Sequence, residues 1–382
     1  MASRRSFLAT ALALPAGRLA ASSQTDAKPA LRYRMLGKTG LKVTAVGFGA
    51  EAVSDVSVIR QALDMGVNFF DTAHAYQGGN NERVLGAALG VDRKKIVLSS
   101  RSYVNDRKTL EAELDLSLRE LKTDYLDIWY LGAHDAAPAD ELLAFQDAAK
   151  KAGKIRFTGF STHRPWALLD FIRKTRFDVV MIPYNFAIGS ARDPFHMDST
   201  RLDKVLDEFG KAGFGVVAIK VMAGGYRDKS APKDSLAELH KRPNAFVSAL
   251  RWALRSPAIH TTSVSMHDRD QLEDNMRAME APFSASDEKT LAAHLDRIGP
   301  LYCRMCTQCD GQCPQGLPVA DVLRFLMYAD GYRRFDLGYQ RFRTLPASLR
   351  AVRCEDCGRC SVTCPNGVAV RERLTAAQRM FA

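Results

Sequence analysis

Eight cysteines confined to the last quarter of the chain constrain its organisation more than any other feature of the sequence. All of them lie between Cys303 and Cys364, and the residues before Cys303 include no cysteine. They form two sets with the same spacing, C-x2-C-x2-C-x3-C, and a proline follows each set directly, at Pro314 and Pro365. Thiols scattered through a core would not repeat a spacing. The sequence therefore predicts a C-terminal unit that uses cysteine, and a separate unit before it, for which 382 residues leave room.

This repeated spacing is that of the bacterial ferredoxin motif, which binds 4Fe-4S clusters. A tight turn wraps three thiolates around a cubane, and the fourth cysteine leaves on the next segment. In two-cluster ferredoxins that fourth cysteine binds the other cluster, so the resemblance implies two crossed ligand sets. The first set would be Cys303, Cys306, Cys309 and Cys364, and the second would be Cys354, Cys357, Cys360 and Cys313.

Zinc and disulfides are the alternatives for these cysteines. Structural zinc sites use paired Cys-x-x-Cys elements, which leaves the third regular spacing unexplained. Disulfides suit an exported protein, but bonds between such close cysteines would be poor staples. Two 4Fe-4S clusters are therefore the expected cofactors.

The N-terminus has the features of an export signal. Arg4 and Arg5 precede a short apolar run from Leu8 to Ala16, and small residues near Ser23 offer a cleavage site. The run is shorter than the roughly 20 apolar residues of a membrane-spanning helix, and no other run reaches that length. We expect residues 1–23 to be a twin-arginine signal that exports the folded protein to the periplasm or another extracytoplasmic space. A basic N-terminus that stays attached is the alternative, and no integral membrane span is expected after signal removal.

Short apolar segments alternate with helical periods between residue 32 and about residue 298. Eight of these segments read as strands, at residues 46–49, 67–71, 96–99, 126–131, 155–161, 179–183, 215–219 and 262–265. The sequence predicts an α/β fold, a (β/α)8 TIM barrel over residues 32–298, followed by a mainly helical, ferredoxin-like iron–sulfur domain over residues 299–382. An open dinucleotide-binding sheet is disfavoured, because no Gly-x-Gly-x-x-Gly follows an early strand. Catalytic residues of such a barrel lie at the C-terminal ends of its strands.

Motifs at those strand ends resemble the aldo/keto reductase family. They occur in the family's order over roughly residues 32–282, at residues 34–49, 71–76, 79–82, 124–127, 153–161, 183–185 and 271–275. The resemblance implies an oxidoreductase that interconverts a carbonyl and an alcohol on a small molecule.

The resemblance also implies a catalytic tetrad of Asp, Tyr, Lys and His. Asp71 and Tyr76 match it directly, and the tyrosine would be the general acid, with its pKa lowered by a neighbouring cation. Arg101 stands at the lysine position and keeps the charge, but it cannot exchange a proton as lysine can. An ion pair with Asp71 is an equal alternative for Arg101. Gly132 stands at the histidine position, so His134, two residues further on, is the candidate there.

A nicotinamide dinucleotide is implied in the same way, with NADP(H) as the candidate. The residues at or near the family's cofactor positions are Ser161, Tyr184, Lys220, Gly224, Ser265, Arg269, Gln271 and Asn275. Tyr184 is the candidate for stacking on the nicotinamide, and Arg269 is the candidate for a 2′-phosphate, with a solvated helix start as its alternative. Met181 departs from the family's usual glutamine, and residues 263–269 lack its usual glycine or lysine.

The C-terminal unit is rich in arginine. Residues 301–382 contain twelve arginines, no lysine and seven acidic residues, in a chain of net charge +11. Arginine can donate hydrogen bonds near cluster sulfur, or it can form a docking face for an acidic redox partner protein, and both interpretations stay open. Residues 319–328 and 335–345 are predicted helices that dock this unit on the barrel. No aromatic–basic motif accompanies the charge, so nucleic acid is not an expected partner.

Together these features predict an exported oxidoreductase that interconverts a carbonyl and an alcohol while electrons pass through two 4Fe-4S clusters. The alternative is an electron-transfer or scaffold subunit that keeps the barrel without turnover. The departures at Arg101 and Gly132 favour that alternative, and the retained Asp71 and Tyr76 favour an enzyme.

Overall fold

The computed structural model describes residues 30–132, 136–175, 177–188, 199–227, 230–233, 235–240 and 243–382. The predicted export signal at residues 1–23 and the candidate His134 lie outside the described residues.

A short antiparallel hairpin of strands β1 (Tyr33–Met35) and β2 (Lys42–Thr44) precedes the barrel. Nothing in the sequence pattern predicted this hairpin. Leu36 in its turn is fully buried and packs with the residues that fill the barrel interior. The Arg34 guanidinium donates hydrogen bonds to the carbonyl groups of Leu254, Ser256 and Ile259. The hairpin therefore closes the N-terminal end of the barrel.

Eight parallel strands form a closed barrel, which confirms the predicted fold class. They are β3 (Val46–Gly49), β4 (Phe69–Asp71), β5 (Val97–Ser102), β6 (Leu126–Leu131), β7 (Ile155–Ser161), β8 (Val179–Pro183), β9 (Gly215–Ile219) and β10 (Thr261–Ser265). Each pairs with the next in chain order, and β10 closes the barrel against β3. Every predicted strand is present, although several of the boundaries differ by a few residues.

Helices cover the outside of the barrel. They are α1 (Val56–Met65), α2 (Asn80–Leu89), α3 (Arg107–Glu120), α4 (Asp140–Lys151), α5 (Leu169–Thr175), α6 (Ser199–Ala212), α7 (Leu236–Leu239), α8 (Pro243–Leu254), α9 (Arg269–Arg277) and α10 (Ala285–Ile298). Helix α3 illustrates why they form. Asp106 caps its first turn by accepting from the Thr109 N–H, and Leu110 and Leu114 recur at helical spacing and are fully buried.

Residues 299–382 form a smaller helical unit with its own core. Its helices are α11 (Val319–Asp330), α12 (Phe335–Arg343), α13 (Ala347–Ala351) and α14 (Val370–Phe381), and these residues include no strand. The cysteines lie in two irregular segments, residues 299–318 and 352–369, and a helix follows each segment. Leu323, Phe325 and Leu374 pack together in the core of this iron–sulfur unit.

The iron–sulfur unit sits on the C-terminal end of the barrel. Arg334, which precedes α12, pairs with Glu51 at 2.9 Å, and Arg164 pairs with Asp321 on α11 at 3.2 Å. The predicted helices of this unit therefore contact the barrel mouth. Within the part of the chain that the structure describes, no helix is both long and apolar enough to cross a membrane.

Candidate active site

A cavity of about 460 Å³ lies between the two units, over the C-terminal ends of the strands. Its floor includes Asp71 from β4 and Arg101 from β5, and Tyr76 lies at its side. Its opposite wall comes from the iron–sulfur unit, through Tyr328 on α11 and Tyr332 in the loop before α12. Both units therefore line one cavity.

Asp71 and Arg101 form a buried ion pair at the floor of this cavity. They are 2% and 3% exposed, and the Arg101 Nη2 atom contacts the Asp71 Oδ2 atom. The hydroxyl groups of Ser99 and Ser263 also donate to this carboxylate, at 2.6 and 2.7 Å. Burial by itself would lower the pKa of Arg101, but Asp71 and the neighbouring phenols raise it, so the guanidinium stays charged.

Arg101 fits its position through several additional contacts. Its Nε atom donates to the Thr72 carbonyl at 3.2 Å, and its Nη1 atom lies 3.0 Å from the Met181 sulfur. The guanidinium carbon lies 5.8 Å from the centre of the Tyr76 ring. The departures from the family at Arg101 and Met181 are thus in contact with each other, and both interpretations of Arg101 find contacts in the structure.

Tyr76 shares a hydrogen bond with Tyr103, a residue that the sequence reasoning missed. Desolvation raises the pKa of Tyr76 well above its ordinary value, and the opposing effect of Arg101 is smaller. The expectation that a cation lowers this pKa overall was therefore wrong. The Tyr76 hydroxyl stays protonated at neutral pH and is a proton donor.

Tyr103 fills the space at the predicted histidine position. A Cβ atom added to Gly132 would lie 2.9 Å from Cδ1 of Tyr103 and 2.6 Å from the Ser102 carbonyl oxygen. A histidine side chain therefore does not fit at position 132, which gives the departure a physical reason. One signal for Tyr103 was available, because it follows β5 directly and stands two residues after Arg101.

The predicted dinucleotide residues are not brought together in the cavity. Ser161, Lys220 and Ser265 line it, whereas Tyr184, Gly224, Arg269, Gln271 and Asn275 do not. The Tyr184 ring packs on Trp252 with 4.8 Å between centroids, so its assignment as the nicotinamide platform is not supported by this geometry. Arg269 is exposed, and Gln271 accepts from the His267 N–H and donates to the Arg227 carbonyl. The structure thus brings three of the eight predicted residues to the cavity.

The eight cysteines fall into two spatial groups. The pKa of Cys303 is raised to about 12, mainly by burial and in part by the neighbouring thiols of Cys309, Cys306 and Cys364. Burial likewise raises the pKa of Cys354, and its thiol neighbours are Cys357, Cys313 and Cys360. Each group thus takes three thiols from one motif and the last thiol of the other.

Backbone and amide donors accompany the first thiol group. The Met305 N–H donates to Cys303 Sγ at 3.4 Å. Asn366 donates through its N–H to Cys364 Sγ and through Nδ2 to Cys306 Sγ, both at 3.4 Å. Four soft donors that accept such bonds fit an iron–sulfur cluster.

Comparisons with known proteins agree with this two-part arrangement. The model of the aldo/keto reductase family matches residues 46–296, and the model of the 4Fe-4S dicluster domain matches residues 302–370. The chain is 28% identical over 306 residues to L-galactose dehydrogenase of Arabidopsis thaliana, covering 69% of this chain and 92% of that protein.

Two further relatives carry different names. L-glyceraldehyde 3-phosphate reductase of Escherichia coli (strain K12) is 22% identical, and the match covers 69% of this chain and 92% of that protein. A putative voltage-gated potassium channel subunit beta of Schizosaccharomyces pombe is 24% identical, and the match covers 68% of this chain and 92% of that protein. Among solved structures, the holo form of an aldo-keto reductase from Bacillus halodurans aligns with a TM-score of 0.56 and 23% identity, covering 69% of this chain and 96% of that one. That similarity reflects the shared barrel fold.

Proposed function

Because the chain belongs to the aldo/keto reductase family and also carries a 4Fe-4S dicluster domain, we propose that it interconverts a carbonyl and an alcohol in the cavity and exchanges the electrons through its iron–sulfur domain. Membership of this family and the second domain make the chain an oxidoreductase. The proposal depends on one observation, that a proton donor on the barrel and the wall of the iron–sulfur unit face the same cavity.

Tyr76 would supply the proton in this reaction. Its hydroxyl lines the cavity, is hydrogen-bonded to Tyr103 and stays protonated because its pKa is raised. Reduction of a carbonyl by two electrons takes up two protons, one on oxygen and one on carbon. Tyr76 would give the oxygen its proton and take it back on oxidation, and His163, which lines the same cavity, would exchange the proton bound to carbon. Arg101 beside the ring would stabilise the phenolate left behind. A positioned general acid of this kind contributes about 10²–10⁴-fold in rate.

Each of the two cysteine groups would hold one cluster. The first group is Cys303, Cys306, Cys309 and Cys364, and the second is Cys354, Cys357, Cys360 and Cys313. When bound, each 4Fe-4S cluster takes up or releases one electron, so two clusters match the electron pair of an alcohol. The first group lies next to the barrel, because Tyr302 is part of the barrel core and Cys306 packs against that core. Aldo/keto reductases typically use NADP(H), but of the residues implied for it only Ser161, Lys220 and Ser265 line the cavity.

A surface near the second group would receive the redox partner. Phe335, Tyr339 and Met380 are exposed there, and a shallow groove beside them contains Arg343 and Arg353. Exposed apolar side chains within a cationic rim suit an acidic electron-transfer protein. We also propose export by the twin-arginine route, since the protein would then leave the cytoplasm folded with its clusters in place.

The test uses the full-length, cluster-loaded protein under anaerobic conditions. A panel of small alcohols should bleach the visible absorbance of the clusters, and aldehydes should restore it after reduction. Tyr76→Phe should slow both changes at least about 100-fold. Tyr33→Phe, on the exposed hairpin strand β1 at the other end of the barrel, is the matched control and should leave both rates unchanged. Equal rates in wild type and Tyr76→Phe would contradict the role of Tyr76.

A non-catalytic subunit is the second candidate. The replacement of the family's lysine by Arg101, which pairs with Asp71, supports it, because arginine does not exchange a proton as lysine can. One relative's name, a potassium channel subunit beta, describes a barrel that serves in an assembly. This candidate predicts that no member of the alcohol and aldehyde panel changes the absorbance, while an added electron-transfer protein still reduces the clusters.

A further inference from the structure

We infer that the iron–sulfur unit occupies the cleft in which a nicotinamide dinucleotide would lie, so that this chain reacts without a bound nicotinamide. The inference rests on the proposed function and deepens it, because it identifies the unit that replaces the family's cofactor. Three contacts between the barrel and residues 302–332 support it, together with one helix start inside the barrel.

Tyr302 is the first of these contacts. It is 1% exposed, it lies in the barrel core, and its hydroxyl accepts a hydrogen bond from the Asn185 side chain at 3.1 Å. A Cβ atom at Gly224 would overlap the Tyr302 ring. The space beside Gly224, which the family resemblance assigns to the dinucleotide, is therefore filled by the residue directly before Cys303.

The second contact is between two backbones. A Cβ atom at Gly331 would overlap the carbonyl oxygen of Gly224, and the Tyr226 N–H donates to the Gly331 carbonyl at 3.1 Å. Glycine at both positions allows the chain leaving α11 to run along the loop after β9. The pyrophosphate of a dinucleotide needs the same close approach to the backbone, and here the backbone at Gly331 occupies that space.

The third contact covers Lys220. Its Nζ atom lies 5.2 Å from the centre of the Tyr328 ring and 4.7 Å from that of Tyr332. Both distances are within the range of cation–π contacts. A lysine expected to face the dinucleotide is instead in contact with two aromatic rings of the iron–sulfur unit.

The start of α9 is the helix start inside the barrel that also supports the inference. Its first turn is capped by the Asp268 carboxylate, which accepts from the Gln271 N–H at 2.8 Å. A phosphate at a helix start uses those same N–H groups. A carboxylate already bonded there repels a second anion, and Arg269 beside it points instead toward Ser57.

These contacts explain how the electrons of the proposed reaction leave the cavity. The cavity wall is connected to the segment that begins at Cys303 through three tyrosines, Tyr302, Tyr328 and Tyr332. The first thiol group, which begins directly after Tyr302, would then exchange electrons with the substrate without a nicotinamide between them. The remaining cavity, about 460 Å³, has room for a small substrate alone.

The test is a binding measurement on the full-length, cluster-loaded protein. NADPH and NADH should give no saturable binding up to about 1 mM by fluorescence titration and calorimetry. Hydrogen exchange of residues 220–227 and 328–334 should be the same with and without NADPH. Binding below about 10 μM that raises exchange in residues 328–334, and that Lys220→Ala abolishes, would overturn the inference. Binding that leaves both segments unchanged lies on another surface and leaves the cleft closed, as we infer.

Neither measurement involves turnover, so the inference and the proposed function fail separately. If NADPH binds in the cleft, alcohol–carbonyl chemistry at Tyr76 is still allowed. If the alcohol panel is inactive but NADPH is excluded, the cleft is closed and the non-catalytic subunit is favoured.

Discussion

Arg101 shows how a single substitution of the family pattern changes a site. Lysine presents one compact ammonium group, whereas the arginine fork has room to contact Asp71, the Thr72 carbonyl and the Met181 sulfur together. The guanidinium is thereby fixed at the cavity floor and does not exchange protons. Proton transfer at this floor is left to the Tyr76 and Tyr103 hydroxyls.

His74 gives a prediction about how the stability of the protein depends on pH. Its Nδ1 atom lies 3.4 Å from the buried Glu82 carboxylate, and the interaction with this carboxylate is the main reason that the pKa of His74 is raised. Because the pKa of His74 is higher in the folded state, the interaction between His74 and Glu82 stabilises the fold fully below the unfolded pKa of about 6.5. It is lost as pH rises through the higher folded pKa.

The melting temperature of wild type should therefore exceed that of His74→Gln most at about pH 5.5 and least at about pH 9. Glu82→Gln should remove the same pH dependence, because it removes the charge that raises the pKa. A difference between wild type and His74→Gln that is constant across this range would contradict the assignment.

The chemistry of single residues was predictable where it depends on strand-end motifs. Asp71, Tyr76 and Arg101 lie together at one cavity, because a barrel brings the ends of its strands to one side. The surroundings of Tyr184 and Tyr103 were not predictable in this way, although the place of Tyr103 directly after a strand was a signal. The first turns to Trp252 and the second fills the space beside Gly132, and both depend on packing between residues far apart in sequence.

The junction of α11 and α12 is the element that fixes the two units together. Gly331 lies at this junction, with its Cα against the Gly224 carbonyl. We expect Gly331→Ala to cost about 1–3 kcal/mol of docking stability, since backbone on both sides must shift to admit a methyl group.

The measurement is limited proteolysis at rising temperature, with cleavage between α10 and α11 as the readout. Gly210→Ala is the matched control, because a Cβ atom at Gly210 on α6 meets no other atom within 4 Å. Its cleavage temperature should equal that of wild type or exceed it. The same cleavage temperature for Gly331→Ala would argue against a tight junction.

Elements were predictable from sequence when they form a regular repeat. The eight strands and the helices of the iron–sulfur unit follow from hydrophobic periodicity. The β1–β2 hairpin has strands of three residues, which are too short for a period to appear, and only the closed barrel shows what Leu36 fills.

The crossed thiol groups connect the two cysteine segments at the scale of the whole molecule. Cys364→Ser should remove one cluster, halve the bound iron, and loosen the contact of Tyr302 with the barrel, because Cys364 lies with Cys303. Cys313→Ser should also halve the iron but should leave that contact intact, since Cys313 lies with Cys354.

Iron analysis and hydrogen exchange of residues 298–305 distinguish the two variants. An uncrossed arrangement would give the reverse, with Cys313→Ser loosening these residues and Cys364→Ser sparing them. Equal iron content in both variants and wild type would contradict cluster binding by either residue.

The grouping of Cys303 with Cys364 also sets an order for synthesis of the protein on the ribosome. All barrel strands precede residue 266, so the barrel can close while the later cysteine segment is still being translated. The thiol group beside the barrel becomes complete only after Cys364 emerges. Residues 302–332 emerge earlier, so a nascent chain that has not yet reached them would expose the barrel mouth that the finished protein covers.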